Sequence, residues 1–134
     1  MTIPPGTIIK FDYGDGMYVH GKLDLQGTAA SPVIFTSYRD DTAGGDTNGD
    51  GVSYGSPGDW DTVSFTNGNH GAAIANVQVR YGGYGSYYGM SISGSYSVSV
   101  SDCTFSENDD GLRIDVASAS VSGCDFLENR DDGD

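Results

Sequence analysis

Residues 46 to 51 read DTNGDG, which places the side-chain oxygens of Asp46, Asn48 and Asp50 at alternate positions ahead of Gly51. Oxygens at positions 1, 3 and 5 of such a loop converge on one point, and a glycine at position 6 permits the sharp turn. The carbonyl at position 7, here Val52, adds a further ligand, so the stretch matches the first half of an EF-hand-type calcium loop. Position 12 is Pro57, which carries no side-chain oxygen, and no flanking helical pattern is present. The remaining ligands must come from elsewhere, and Asp40, Asp41 and Asp59 are the candidates. The competing reading is a solvated polar loop that carries DxNxDG by chance. Concentration of charge favours Ca2+: Asp40, Asp41, Asp46, Asp50, Asp59 and Asp61 fall within 22 residues, with only Arg39 to offset them. Unneutralised, they repel one another.

A second group that could make contacts is aromatic. Tyr81, Tyr84, Tyr87 and Tyr88 gather in the Gly-rich stretch YGGYGSYYG. Tyrosines exposed on a rigid β surface can stack on sugar rings, and a loop packed by its own aromatics is the equal alternative. His20 lies in an apolar alternation and is expected to be a packing or surface residue.

The elements that must position these residues are set by an internal repeat. SDCTFSEN returns as SGCDFLEN, so that Cys103 and Cys124, Phe105 and Phe126, and Asn108 and Asn129 are each 21 residues apart. A period near 20 signals a stacked solenoid, and the alternating runs before each copy, SVSV and ASVS, signal strands. Projected backwards, the strand with Cys103 and Phe105 corresponds to Val77 and Val79, and before them to Val33 and Phe35. A second strand family reads Leu23 and Leu25, Ala72 and Ile74, Val98 and Val100, Ala119 and Val121. A third reads Ile9 and Phe11, Val63 and Phe65, Met90 and Ile92, Leu112 and Ile114. The expectation is an all-β chain of about four coils of three short strands, forming one domain over residues 1–134 with a loop insertion at 38–60. A hairpin meander is the competitor, and two-residue turns would not keep a period of this length.

This layout resembles the right-handed, single-stranded parallel β-helix of the pectate-lyase-like superfamily over nearly the whole chain. The C-x-F-x-x-N pattern carries the resemblance, which implies that Asn108 and Asn129 sit in the turn after a strand and bond to each other one coil apart. The phrase GGDTNGDG followed by PGDW is similar to a loop of bacterial secreted and surface β-helix proteins. That likeness implies a calcium site and an extracellular or cell-surface location. Catalysis within the superfamily implies residue sets that are incomplete here. A hydrolase of the polygalacturonase kind would need an Arg-x-Lys that is missing, and NHG (residues 69–71) precedes the pair Asp109 and Asp110 in the wrong order. A lyase of the pectate kind would need calcium beside a basic residue; Arg80 and Arg113 can be nominated, but Arg113 has Asp115 as a surface partner. The resemblance therefore implies a scaffold or adhesion module, with an incomplete lyase or hydrolase fragment as the alternative.

Acidic residues outnumber basic ones 19 to 6, for a net charge of −13. Such a surface repels phosphate backbones and anionic lipid, so the expected partners are calcium and polysaccharide rather than nucleic acid or membrane. The start, MTIPPG, has neither the basic residues nor the apolar run of a signal peptide. The two cysteines are expected as inward thiols rather than a disulfide, because parallel stacking points both side chains the same way. Neither end supplies a polar cap, so the chain is expected to be a segment of a longer solenoid or to associate end to end with a second copy.

Overall fold

Alternation of apolar and polar residues becomes short strands whose apolar members face inward, because successive side chains of a strand point to opposite faces. The computed structural model describes residues 1–66, 73–85 and 88–130. Within them every regular element is a strand: β1 (Thr2–Ile3), β2 (Ile8–Phe11), β3 (Met17–Val19), β4 (Asp24–Leu25), β5 (Val33–Ser37), β6 (Val63–Thr66), β7 (Ala73–Ala75), β8 (Val77–Arg80), β9 (Tyr88–Ser93), β10 (Ser97–Ser101), β11 (Thr104–Ser106), β12 (Asp110–Asp115), β13 (Ser118–Ser122) and β14 (Asp125–Leu127). The chain is all-β with parallel strands in several sheets. A five-stranded sheet has the order β14-β11-β8-β5-β2, a four-stranded sheet β12-β9-β6-β3, and a three-stranded sheet β13-β10-β7, with β1 and β4 forming a pair. From β5 onward the chain visits the five-, four- and three-stranded sheets in turn and then begins again.

Register follows the repeat. Phe35 faces Val79, Val79 faces Phe105, and Phe105 faces Phe126. Val63, Met90 and Leu112 form a second row, and Phe65, Ile92 and Ile114 a third. In the three-stranded sheet Ile74, Val100 and Val121 align. Ala72, assigned from the sequence to the same strand as Ile74, lies outside the described residues.

Two rows differ from expectation at their first level. Leu25, expected ahead of Ile74, lies in β4, which pairs with β1, Ile3 opposite Leu25, and does not join β7; Leu23 precedes that strand. Ile9 and Phe11 do not precede Val63 and Phe65; β2 instead pairs with β5, with Ile9 opposite Phe35. The residues that face Val63 and Phe65 are Met17 and Val19 of β3. The five-stranded sheet thus holds one level more than four coils would supply. The cause lies in the turn at residues 12–16, which carries the chain to the next sheet so that MYV forms a strand of its own. Period-2 alternation marks a strand and its inward face, but it does not say which sheet the strand joins.

Left-handed residues make the corners. Asn76 (φ 54°) precedes β8 and Tyr81 (φ 65°) follows it, while Asp102 (φ 53°) and Glu107 (φ 54°) bracket β11 in the same way. Each such residue costs about 1 to 2 kcal/mol, which the flanking parallel ladders offset.

Val33, Phe35, Trp60, Val63, Phe65, Val77, Val79, Met90, Ile92, Val100 and Phe105 are wholly buried between the sheets. Phe11 stacks on Trp60, with centroids 4.5 Å apart and an interplanar angle of 20°. Asn108 is buried as well. Its Nδ2 donates to the Val79 carbonyl and to Asn129 Oδ1, both at 3.0 Å, and its Oδ1 accepts the Gly82 N–H at 2.8 Å. Both cysteines are free; Cys103 is buried and Cys124 half-buried. At the level of β13 and β14 the row ends: Phe126 and Leu127 are each 51% exposed and Val121 46%, although Phe126 still stacks on Phe105 at 5.2 Å.

Candidate functional site

The irregular stretch from Tyr38 to Thr62 lies between β5 and β6. It is secured to the sheets at both ends. Near its start Asp40 is fully buried and accepts hydrogen bonds from the hydroxyls of Thr36 (2.7 Å) and Thr42, while Arg80 Nη1 lies 3.2 Å from its Oδ2. Burial on its own would raise the Asp40 carboxyl, but the two threonine hydroxyls and the Arg80 guanidinium outweigh it and hold the group below the usual aspartate value. Lys10 Nζ, reaching from β2, donates to the carbonyls of Asp40 and Gly45, each at 2.8 Å. At the far end Asp59 accepts from Ser37 Oγ at 2.8 Å and the Ser56 N–H at 3.0 Å, and Arg39 lies 3.6 Å away. Trp60 then returns to the core and its Nε1 donates to the Arg80 carbonyl at 2.7 Å.

Between these anchors the loop curls around its own carboxylates. Asp46 Oδ1 accepts the N–H groups of Gly49 (2.8 Å) and Asp50 (3.3 Å), and its Oδ2 accepts the Gly51 N–H at 3.0 Å. Gly51 adopts φ 84°, the left-handed conformation expected of the glycine at position 6. Asn48 Nδ2 donates to Asp50 Oδ2 at 3.1 Å. Asp41 reaches in from the opposite limb, where its Oδ2 accepts the Ser53 N–H at 2.7 Å, and Ser53 Oγ also lies 3.3 Å from Asp50 Oδ1. One oxygen from each of Asp41, Asp46 and Asp50 lies within 4.8 Å of the others. Asp41 is half-buried and the other two are exposed.

Of the residues singled out in the sequence, the fold thus gathers Asp41, Asp46 and Asp50, with Asn48 against Asp50. Asp40 and Asp59 point into the protein and are committed to the anchors. The Val52 side chain is 83% exposed. Sequence reasoning missed the anchoring set of Lys10, Thr36 and Arg80, and it also missed Ser53, which joins the limbs. The outward alternation of Lys10 in IIKF and Arg80 in VQVR was the available signal.

Three carboxylates this close create a strong negative potential that a hard divalent cation relieves. The two glycine-rich limbs leave room for adjustment, which suits the variable oxygen coordination of Ca2+ better than the compact octahedron of Mg2+. Asn48 must present its carbonyl oxygen rather than its amide to join such a set.

The tyrosines divide. Tyr81 is buried, and its hydroxyl lies 3.4 Å from Glu107 Oε1; burial, then the Glu107 and Asp40 charges, push it up to about 12. Its ring packs so close over Gly55 that a Cβ there would lie 2.3 Å from it, so Tyr81 clamps the loop. Tyr88 is half-buried, with the Arg113 guanidinium 5.8 Å from its ring centroid. Tyr87 lies outside the described residues. Tyr84 is 44% exposed and meets Tyr13, which is 63% exposed, at a centroid distance of 4.8 Å.

Two of the residues considered for catalysis, Asp109 and Arg113, have ion partners. Asp109 lies 3.2 Å from Arg130 Nη1, and Arg113 lies 4.0 Å from Asp115. No protein-family model, no curated protein and no solved structure matches the chain.

Proposed function

We propose that the chain is a right-handed parallel β-helix module, resembling the pectate-lyase-like superfamily in architecture, that acts as a calcium-stabilised scaffold or adhesion surface outside the cell. The convergence of Asp41, Asp46 and Asp50 carries this reading. Asp46 and Asp50 come from the DTNGDG turn, whereas Asp41 comes from the opposite limb, so an ion between them closes the loop like a clasp. Its base is already fixed by Lys10, Arg80 and Trp60, so closing the tip orders a surface that is otherwise held only at its ends. Carbohydrate is the polymer expected at such a surface, because a net charge of −13 disfavours polyanions.

The test is thermal unfolding in chelator, in calcium and in magnesium. An ion that binds only the folded state adds about 2.7 kcal/mol at 100 times its Kd, so melting should rise with calcium and much less with magnesium. The double variant Asp46→Asn with Asp50→Asn should abolish the rise. Equal melting in chelator and calcium would sink the proposal.

A further inference from the structure

The turns at residues 12–16, 59–62 and 82–85 stack at one corner of the molecule, and backbone hydrogen bonds join them. The Asp61 N–H donates to the Asp15 carbonyl at 2.7 Å, the Gly83 N–H to Asp61 O at 2.6 Å, and the Tyr84 N–H to Trp60 O at 2.9 Å. Residues distant in sequence are thereby fixed on a common surface, behind which Trp60 is wholly buried. Tyr13 and Tyr84 present their rings there at an interplanar angle of 52°. Beside them Tyr18, 55% exposed, donates its hydroxyl to Asp61 Oδ2.

The geometry points to this corner as a binding platform for a neutral pyranose unit of a glycan. The assignment rests on the carbohydrate-contact part of the proposed function and not on the calcium loop. Tyrosine rings held at an angle give apolar faces for the C–H side of a sugar, and they lose little rotamer freedom on binding. The exposed Asp15 carboxylate of the same turns supplies an acceptor for sugar hydroxyls, and Asp61, bonded to Tyr18, adds its charge. Those charges also choose among ligands: a uronate or phosphate would meet like charge at close range, while a neutral sugar would not. A quaternary ammonium suits acidic and aromatic surroundings too, but it is best held in a gap between rings. Here the two rings touch and leave no gap.

The test observes tyrosine ring signals of the intact chain by NMR, with Tyr13 and Tyr84 assigned from Tyr→Phe variants. Methyl glycosides of glucose, galactose and mannose, galacturonate, and tetramethylammonium at matched ionic strength are the probes. At least one methyl glycoside should shift both rings saturably, and galacturonate should bind more weakly. Tyr84→Ala should weaken binding by roughly 2- to 12-fold, the worth of one aromatic contact. Tyr54→Ala, at an exposed position on the long loop, should leave it unchanged. Preference for tetramethylammonium, no saturable shift from any of the three glycosides, or an unchanged affinity in Tyr84→Ala would each overturn the assignment. Electrophoresis through gels containing neutral polysaccharides separates the two levels. Retardation that survives in the Tyr13→Ala, Tyr84→Ala double variant would remove this platform and leave carbohydrate contact standing. Absence of retardation by every polysaccharide would remove both, while the calcium response is read independently by melting.

Discussion

Phe105 and Phe126 occupy the same position of the repeat, yet their truncation should differ in cost. Phe105 is wholly buried, in register with Val79 on one side and stacked on Phe126 on the other. Replacing it with Ala removes a full ring and leaves a cavity bounded by two sheets, which costs about 3 to 5 kcal/mol. Phe126 is 51% exposed. It forfeits about half the burial of a Phe side chain together with one ring contact, roughly 1 to 3 kcal/mol. The two variants should therefore differ by about 2 kcal/mol, or several degrees in Tm for a chain of this size. Urea unfolding followed through the single tryptophan, Trp60, gives both values. The comparison is sound where the slope with urea stays constant and only the midpoint moves. Equal losses would refute the reasoning, because they would mean that both rings have the same surroundings in solution.

Two further outcomes follow from side chains inside the same framework. The Cys103 thiol, pushed up to about 12 by burial, should resist alkylation of the folded protein while half-buried Cys124 reacts; peptide mass spectrometry after a timed iodoacetamide pulse would read this, and equal labelling would contradict it. The Arg80→Met variant leaves Asp40 buried without its cation and should cost about 1 to 3 kcal/mol. Because the native Asp40 carboxyl sits below its ordinary value of 3.8, its contribution is present above that pH and is lost as pH falls through the native value. Urea midpoints measured across the acid range should fall less steeply in Arg80→Met than in the parent, and parallel profiles would rule out the linkage.

How far the sequence disclosed all this depended on whether a feature is local. The rows through Phe105 and Phe126, and through Met90 and Leu112, were legible because a repeat with constant spacing carries its own register. The place of Ile9 and Phe11 was not, since a strand at the start of the chain has no earlier copy to align with. Asp40 and Asp41 are adjacent and chemically alike, so only the fold separates them. Arg80, forty positions away, and Thr36 draw Asp40 inward, and Ser53 holds Asp41 at the loop. The same holds for the tyrosines. Tyr81 and Tyr84 share one Gly-rich stretch, yet Tyr81 turns under the loop at a left-handed corner. Tyr84 meets Tyr13, a partner that no short pattern could indicate.

The parallel register has a consequence for the order in which the molecule can be made. Ile9, Phe35, Val79, Phe105 and Phe126 are neighbours across the five-stranded sheet, at separations along the chain of 26, 44, 26 and 21 residues. No strand of that row can find its hydrogen-bonded partner until a whole further circuit has been synthesised, and contacts of such long range form slowly. The widest gap is the one that contains the loop of Asp41, Asp46 and Asp50. Growth from the ribosome would therefore proceed by whole levels, with its longest wait between Phe35 and Val79. An ion that gathered the loop early would shorten the search at that step.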